Sequence, residues 1–151
     1  MSESNPIRVF VVHTYAEHPD YVRVFEYLES RPNFYYHNCS NPAAKPASAD
    51  SEVIKEELRR QIQLAEIVIL PVTIFATNPV LVTFQVDAAK GLKKPVLAIK
   101  SFGETVAIKK SLLDKADDIV DWNNRTITEA IKRLARNDSS GQWEVIDFKL
   151  D

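Results

Sequence analysis

The sequence predicts an α/β fold of the flavodoxin-like kind: a five-stranded, mainly parallel sheet ordered 2-1-3-4-5, in three layers with helices on both faces. Three observations lead there. Strand-like and helix-like segments alternate five times along 151 residues. Several of the strand-like runs are almost continuously apolar and β-branched, as strands covered on both faces must be. Right-handed crossovers then leave few ways to connect five such units.

The elements are taken in chain order. "IRVFVVH" (Ile7 to His13) is the first strand, and "HPDYVRVFEYLESR" the first helix, with Pro19 suited to its opening turn and Tyr21, Phe25 and Leu28 on one face. "NFYYHNC" is a short second strand. "SNPAAKPASADS" is a loop by composition. In "SEVIKEELRRQIQLA", Ile54, Leu58 and Ile62 recur every four residues behind an acidic first turn. "EIVILPV" is the third strand. The next helix runs through "NPVLVTFQVDAAKG", with Val80, Leu81, Phe84, Ala88 and Leu92 as its apolar stripe, Gln85 at the stripe's edge and Gly91 as its stop. "PVLAIK" and "DDIVDW" are the last two strands, separated by a helix over "ETVAIKKSLLDKA". "TITEAIKRLAR" closes the set, with a capping-box pattern from Thr126 to Glu129 and an apolar face of Ile127, Ala130, Ile131 and Leu134. The final "QWEVIDFKL" alternates weakly and reads as an added edge strand or a partner-binding tail.

Composition narrows the function. A formal net charge of -2 gives no global attraction to DNA or an anionic membrane. A lone cysteine, Cys39, excludes an internal disulfide and suits a reducing cytoplasm. No apolar run approaches the ~20 residues of a membrane span, and the N-terminus lacks a secretory pattern. The expectation is a cytoplasmic, single-domain protein.

The strand order places a ligand crevice at the carboxyl ends of strands one and three, where the connections reverse direction. His13, Thr14 and Tyr15 would line one side, Thr73, Ile74 and Phe75 the other, with the early turns of the Gln85 helix facing in. With Gly91, Gly103 and Gly141 as the only glycines, neither a dinucleotide fingerprint nor a P-loop is present. His37, Cys39, His13 and His18 lack the paired spacing of structural zinc, so no metal site is expected. Ser40 and His13 could approach one another, but no G-x-S-x-G elbow exists for a serine hydrolase. Asp121, Trp122, Asn123 and Asn124 read as a turn and helix cap with Trp122 packed against it.

The ordered set of segments resembles the TIR-like family of small bacterial proteins, including the TIR components of Thoeris antiphage defence. "FVVHTYAEHPDYVRVFEYL" stands where that family has "ISHSW" and a helix containing "DY". "RPNFYYHNCSNPAAKP" parallels "PNF", a short aromatic strand and "N-x-S-x-P". "RRQIQLAEIVILPV" matches the helix and strand that come next, "FATNPVLVTFQVDAAKGLKKPVLAI" a "W...EI..A...KPII.I" segment, and "ADDIVDWNNRTITEAIKRL" the family's ending. The resemblance covers Ile7 to Leu134. It implies a TIR-like domain over residues 1–137 and a tail over 138–151.

Catalytic members of that family cleave NAD+ at the nicotinamide–ribose bond, using a glutamate to offset charge on an oxocarbenium-like sugar. Aligned here, that glutamate falls on Gln85 and the family's tryptophan on Leu81. Glutamine keeps the shape and the hydrogen bonds of glutamate without its charge. The resemblance therefore implies a site that binds NAD+ or an ADP-ribose-type nucleotide as substrate, with no separate cofactor, and that cleaves or cyclises it when position 85 carries glutamate. Asp87 is turned about 200° away on the helix and cannot substitute. Nucleotide-binding candidates are His13, Thr14, Tyr15, Ser40, Thr73, Phe75 and Leu81, with Tyr15 and Phe75 stacking on a base and Ser40 on a phosphate or hydroxyl. TIR–TIR contacts would make a homo-oligomer, and a separate effector protein would read the signal. The alternative is a non-catalytic TIR module that works by self-assembly. A nucleoside deoxyribosyltransferase-like enzyme is a third reading, without a matching nucleoside-recognition pattern.

Overall fold

The computed structural model describes residues 1–101 and 108–138. Five strands form one sheet: β1 (Ile7–Val11), β2 (Tyr36–Asn38), β3 (Ile67–Pro71), β4 (Val96–Ile99) and β5 (Asp118–Val120). All are parallel, in the order β2-β1-β3-β4-β5, so the fold is the flavodoxin-like one. The helices are α1 (Pro19–Glu29), α2 (Ser51–Leu64), α3 (Pro79–Gly91), α4 (Lys110–Leu113) and α5 (Asn124–Arg136), and a 3-10 turn over Val72–Thr77 joins β3 to α3.

Strand alternation divides the core into two layers. Phe10, Val12, Val68, Leu70 and Val96 pack under Leu58 and Ile62 of α2 and Val82, Val86 and Ala89 of α3. Val9, Val11, Ile67, Ile69, Leu97 and Ile99 point the other way, onto Val24 and Leu28 of α1 and Ile127 and Ile131 of α5. Full burial of each such side chain contributes about 1.5–3 kcal/mol, so a sheet covered on both faces holds the fold with Cys39 as a free, buried thiol.

Short polar side chains start the long helices. His18 accepts the amide of Asp20 at α1, Asp50 that of Glu52 at α2, Asn78 that of Leu81 at α3, and Asn123 that of Thr126 at α5. The last corrects the capping box expected from Thr126 to Glu129. Asn123 takes the cap, the helix begins at Asn124, and Glu129 pairs instead with Arg125 at 3.1 Å. α3 does end at Gly91, but Gly91 is not the left-handed residue of that ending. Lys93 adopts φ 60, while the amides of Lys93 and Lys94 return to the carbonyls of Lys90 and Ala89, a Schellman ending.

The buried face of α3 differs from the predicted stripe. Val82, Gln85, Val86 and Ala89 face the sheet at 0% exposure, whereas Val80 is 74% exposed. Leu81, Phe84 and Ala88 are only partly buried. They lie alongside α2, whose Lys55 and Arg59 cover the Phe84 ring at 5.5 and 5.4 Å. A helix apolar on two adjacent faces has no single stripe for periodicity to find, and Gln85 sits in the middle of the inward face rather than at its border. Of the helix expected over "ETVAIKKSLLDKA", only Lys110–Leu113 is helical among the described residues. Residues 104–107 of that segment and the strand expected over "QWEVIDFKL" lie outside the described residues.

Candidate functional site

His13 lies two residues past the end of β1, at the carboxyl end of the sheet, and is 2% exposed. Three helices converge on it. Gln85, on α3, accepts the His13 N–H through Oε1 at 3.1 Å and donates Nε2 to the His13 carbonyl at 2.8 Å and to the Leu81 carbonyl at 3.0 Å. Gln61, on α2, meets the His13 Nε2 through its Oε1 at 3.1 Å. Tyr21, on α1, places its ring edge-on at 6.3 Å.

The proton positions are set by the donors. The Tyr15 N–H donates to His13 Nδ1 at 3.2 Å, so Nδ1 is the acceptor and Nε2–H donates to Gln61. Gln61 Oε1 also accepts the Asn41 N–H at 2.9 Å, and its Nε2 donates to Glu57 at 3.1 Å. One buried amide thus joins the loop after β1 to the loop after β2. Burial lowers the His13 pKa below its ordinary 6.5, partly opposed by the bond to Gln61. Arg60, held bidentate at 2.9 and 2.7 Å, keeps Glu57 below the usual carboxylate range.

Tyr15 turns the chain at φ 63, a left-handed conformation unfavourable to a bulky side chain. Its ring stands edge-on to His13 at 4.8 Å, and its hydroxyl is buried with no hydrogen-bond partner. Burial, reinforced by the Glu57 charge and opposed by Arg60, pushes its pKa up to about 12, so the phenol stays neutral.

Tyr15 divides two clefts. The larger, about 780 Å³, lies between the loop and first turn of α1 (Tyr15, Glu17, His18, Tyr21, Val22) and Pro42 and Ala43. The smaller, about 330 Å³, is lined by Thr14, Tyr15, Lys45 and the first turns of α2 (Ser51, Ile54, Lys55) and α3 (Asn78, Val80, Leu81). It contains two lysines and no carboxylate side chain among its lining residues.

Of the predicted site residues, Thr14, Tyr15 and Leu81 meet in the smaller cleft. His13 and Gln85 lie behind them and line neither cleft. Ser40, 6% exposed, shares hydrogen bonds with Tyr21 (2.8 Å) and Asn38, and is not on a cleft wall. Thr73 and Phe75 do not form the opposite wall. The Thr73 hydroxyl donates to the buried Asp20, which also pairs with Arg23, and Phe75 is a core residue at 7% exposure. The cause is the 3-10 turn after β3: it winds Ile74 and Phe75 inward under α3 instead of continuing the strand to the crevice. The position thereby freed is taken by Asn78, Val80 and Leu81.

Lys45, Lys55 and Gln61 were not anticipated. Only Gln61 leaves a sequence signal, as a polar residue between Leu58 and Ile62 on the inward face of α2. Among the described residues no group of three or more His, Cys, Asp or Glu side chains could hold a metal ion, and no helix is long and apolar enough to cross a membrane.

These features define a flavodoxin-like α/β domain with paired clefts at the β1 switch point, joined by a buried His–Gln network. No protein-family model matches the chain, and no curated protein matches it.

Proposed function

We propose that this is a TIR-like signalling domain that holds NAD+ or a related ADP-ribose nucleotide in the smaller cleft. The observation that carries the reading is the lining of that cleft. Lys45 and Lys55 supply positive charge, and Thr14, Ser51 and Asn78 offer polar groups for ribose and phosphate. Tyr15 supplies an aromatic wall.

The residue at position 85 determines whether a bound nucleotide reacts. Gln85 Nε2 faces two carbonyls, those of His13 and Leu81. A carboxylate there would set oxygen against oxygen and be driven off the His13 backbone. Leu81 is one turn earlier on α3 and lines the cleft, so the released carboxylate has a short path towards the bound sugar. There it would offset the positive charge that develops as the nicotinamide bond breaks, a contribution of ~3–4 kcal/mol to the barrier. With glutamine the same position is locked and the domain binds without turning over. In a pathway of the Thoeris kind, the glutamate form would generate a nucleotide signal for a separate effector.

Two observations favour a second reading, a non-catalytic module acting by self-assembly. Gln85 already has a complete structural task, and Val22, Val53 and Val80 are exposed at 55%, 43% and 74%. Calorimetric titration with NAD+ and with ADP-ribose separates the two. The nucleotide reading expects saturable binding that Lys55→Glu weakens at least tenfold. Absence of binding, together with concentration-dependent association by sedimentation, selects the assembly module.

A further inference from the structure

We propose that His13 and Gln61 form a proton-operated latch: the neutral imidazole holds the Tyr15 turn, and protonation opens that turn and disturbs the Asn41 loop through the Gln61 amide they share. The hydrogen-bond pattern requires neutrality. Nδ1 is the acceptor for the Tyr15 N–H at 3.2 Å, while Nε2–H is committed to Gln61. A second proton can enter only at Nδ1, where it would point at the N–H already there. Two donors cannot share that bond, so the turn that Nδ1 holds at φ 63 has to open.

The surroundings do not rescue the cation. From its own strand His13 meets the Phe10 ring at 5.7 Å, and from the following loop the Tyr15 ring at 4.8 Å. Tyr21 faces it from α1, where the nearby Asp20 carboxylate is taken by Arg23 and Thr73. Gln61 faces it from α2, with Glu57 behind and paired to Arg60. The α3 partner, Gln85, is uncharged and engages the backbone. Burial accordingly lowers the His13 pKa, and the latch opens only on acidification.

Release reaches both clefts. Tyr15 is a wall of each, and Asn41 precedes Pro42 and Ala43, which form the far wall of the larger one. Because the same Gln61 Oε1 accepts from His13 and from Asn41, a shift on one side disturbs the other. The device works whatever the clefts bind, so its test uses ligand-free protein and stands apart from the nucleotide reading.

The test is amide NMR and hydrogen exchange on the ligand-free chain, from about pH 7.5 to about pH 5. The latch predicts that the Tyr15 amide shifts and loses protection and the Asn41 amide shifts with it, both with the midpoint of the His13 ring, while the Val12 amide in the sheet stays protected. Gln61→Glu, which places a carboxylate on Nε2–H, should raise that midpoint by about one pH unit or more. If that variant does not fold, the wild-type titration decides alone. The latch is overturned if the two amides follow His18 or His37, if they ignore a titrating His13, or if His13 stays neutral until the whole fold unfolds. An unchanged midpoint in a folded Gln61→Glu also overturns it.

Discussion

The side-chain amide of Gln85 takes both backbone hydrogen-bonding groups of His13, accepting the N–H at 3.1 Å and donating to the carbonyl at 2.8 Å. At neutral pH an amide offers both roles from one planar group, where a carboxylate offers only acceptors. At the end of a central strand, where the next residues leave the sheet, Gln85 replaces the neighbouring strand that would otherwise satisfy them. Gln85→Ala should therefore cost about 2–4 kcal/mol, since it buries an unpaired donor and an unpaired acceptor. Gln85→Glu should cost a similar amount at neutral pH and recover part of it in acid, as a protonated carboxyl can again donate. Urea denaturation of the three proteins, compared at the transition midpoint, checks both expectations.

Acid stability should fall in two windows. His13 has a folded pKa below its ordinary 6.5, so between those values the unfolded chain binds more protons than the folded one. Its contribution to stability is complete above about pH 6.5 and is lost as pH drops from there towards the folded value. Glu57, Glu66 and Asp117 are held below their ordinary carboxylate values, the first two chiefly by hydrogen bonds from Arg60 and Arg136, and for Asp117 the Val96 amide and Lys90 outweigh desolvation. Their contributions are present above the ordinary carboxylate range and disappear below it. Denaturation midpoints measured against pH in wild type and in His13→Asn should show the first slope only in wild type.

Tyr15 offers a backbone test. At φ 63 a glycine is at ease and an alanine is not. Tyr15→Gly should be more stable than Tyr15→Ala by about 1 kcal/mol, although both lose the ring that stands against His13. Thermal unfolding of the pair isolates the backbone term. Both should bind ADP-ribose at least tenfold more weakly than the parent.

The cap of α5 distinguishes two starts for the same helix. Asn123 accepts the Thr126 amide at 2.9 Å. Asn123→Ala should cost about 1 kcal/mol, and Thr126→Ala markedly less. The opposite ranking in a denaturation series would restore the later start that Thr126 and Glu129 suggest.

The fold was legible because β1, β3 and β4 are covered on both faces and therefore spell themselves as apolar runs, broken only by Arg8 in β1. Strand order came from the five alternating units and the handedness of their crossovers. The site was harder to read for two physical reasons. A 3-10 turn after β3 folds Phe75 inward, and nothing in "TIFATNP" distinguishes such a turn from a strand that continues to the crevice. The inward face of α3 carries a polar residue at its centre, so apolar spacing pointed to the neighbouring face. Yet the frame was present twice. "LRRQIQLA" and "VTFQVDAA" both read apolar-x-x-Gln-apolar-x-x-Ala, and both glutamines, Gln61 and Gln85, end on His13. A polar residue flanked by apolar ones at i−3, i+1 and i+4 faces the core by geometry, and two on adjacent helices point to a shared buried partner. Which residue that partner is depends on the fold, not on local sequence.

Charge in the smaller cleft predicts salt dependence. If Lys45 and Lys55 meet phosphate, affinity for ADP-ribose should fall steadily with ionic strength, and Lys45→Ala or Lys55→Ala should flatten that dependence. Adenosine, which lacks phosphate, should bind more weakly and respond little to salt. Calorimetry at several salt concentrations resolves these cases.

The most direct measurement is NAD+ binding and turnover by the chain beside Gln85→Glu, under identical conditions. A site of the proposed kind binds NAD+ in both forms and releases nicotinamide measurably only with glutamate, faster by roughly a hundred- to a thousandfold. Folded proteins of both forms that neither bind nor cleave NAD+ would contradict the nucleotide reading and leave Gln85 as a clamp on the end of β1.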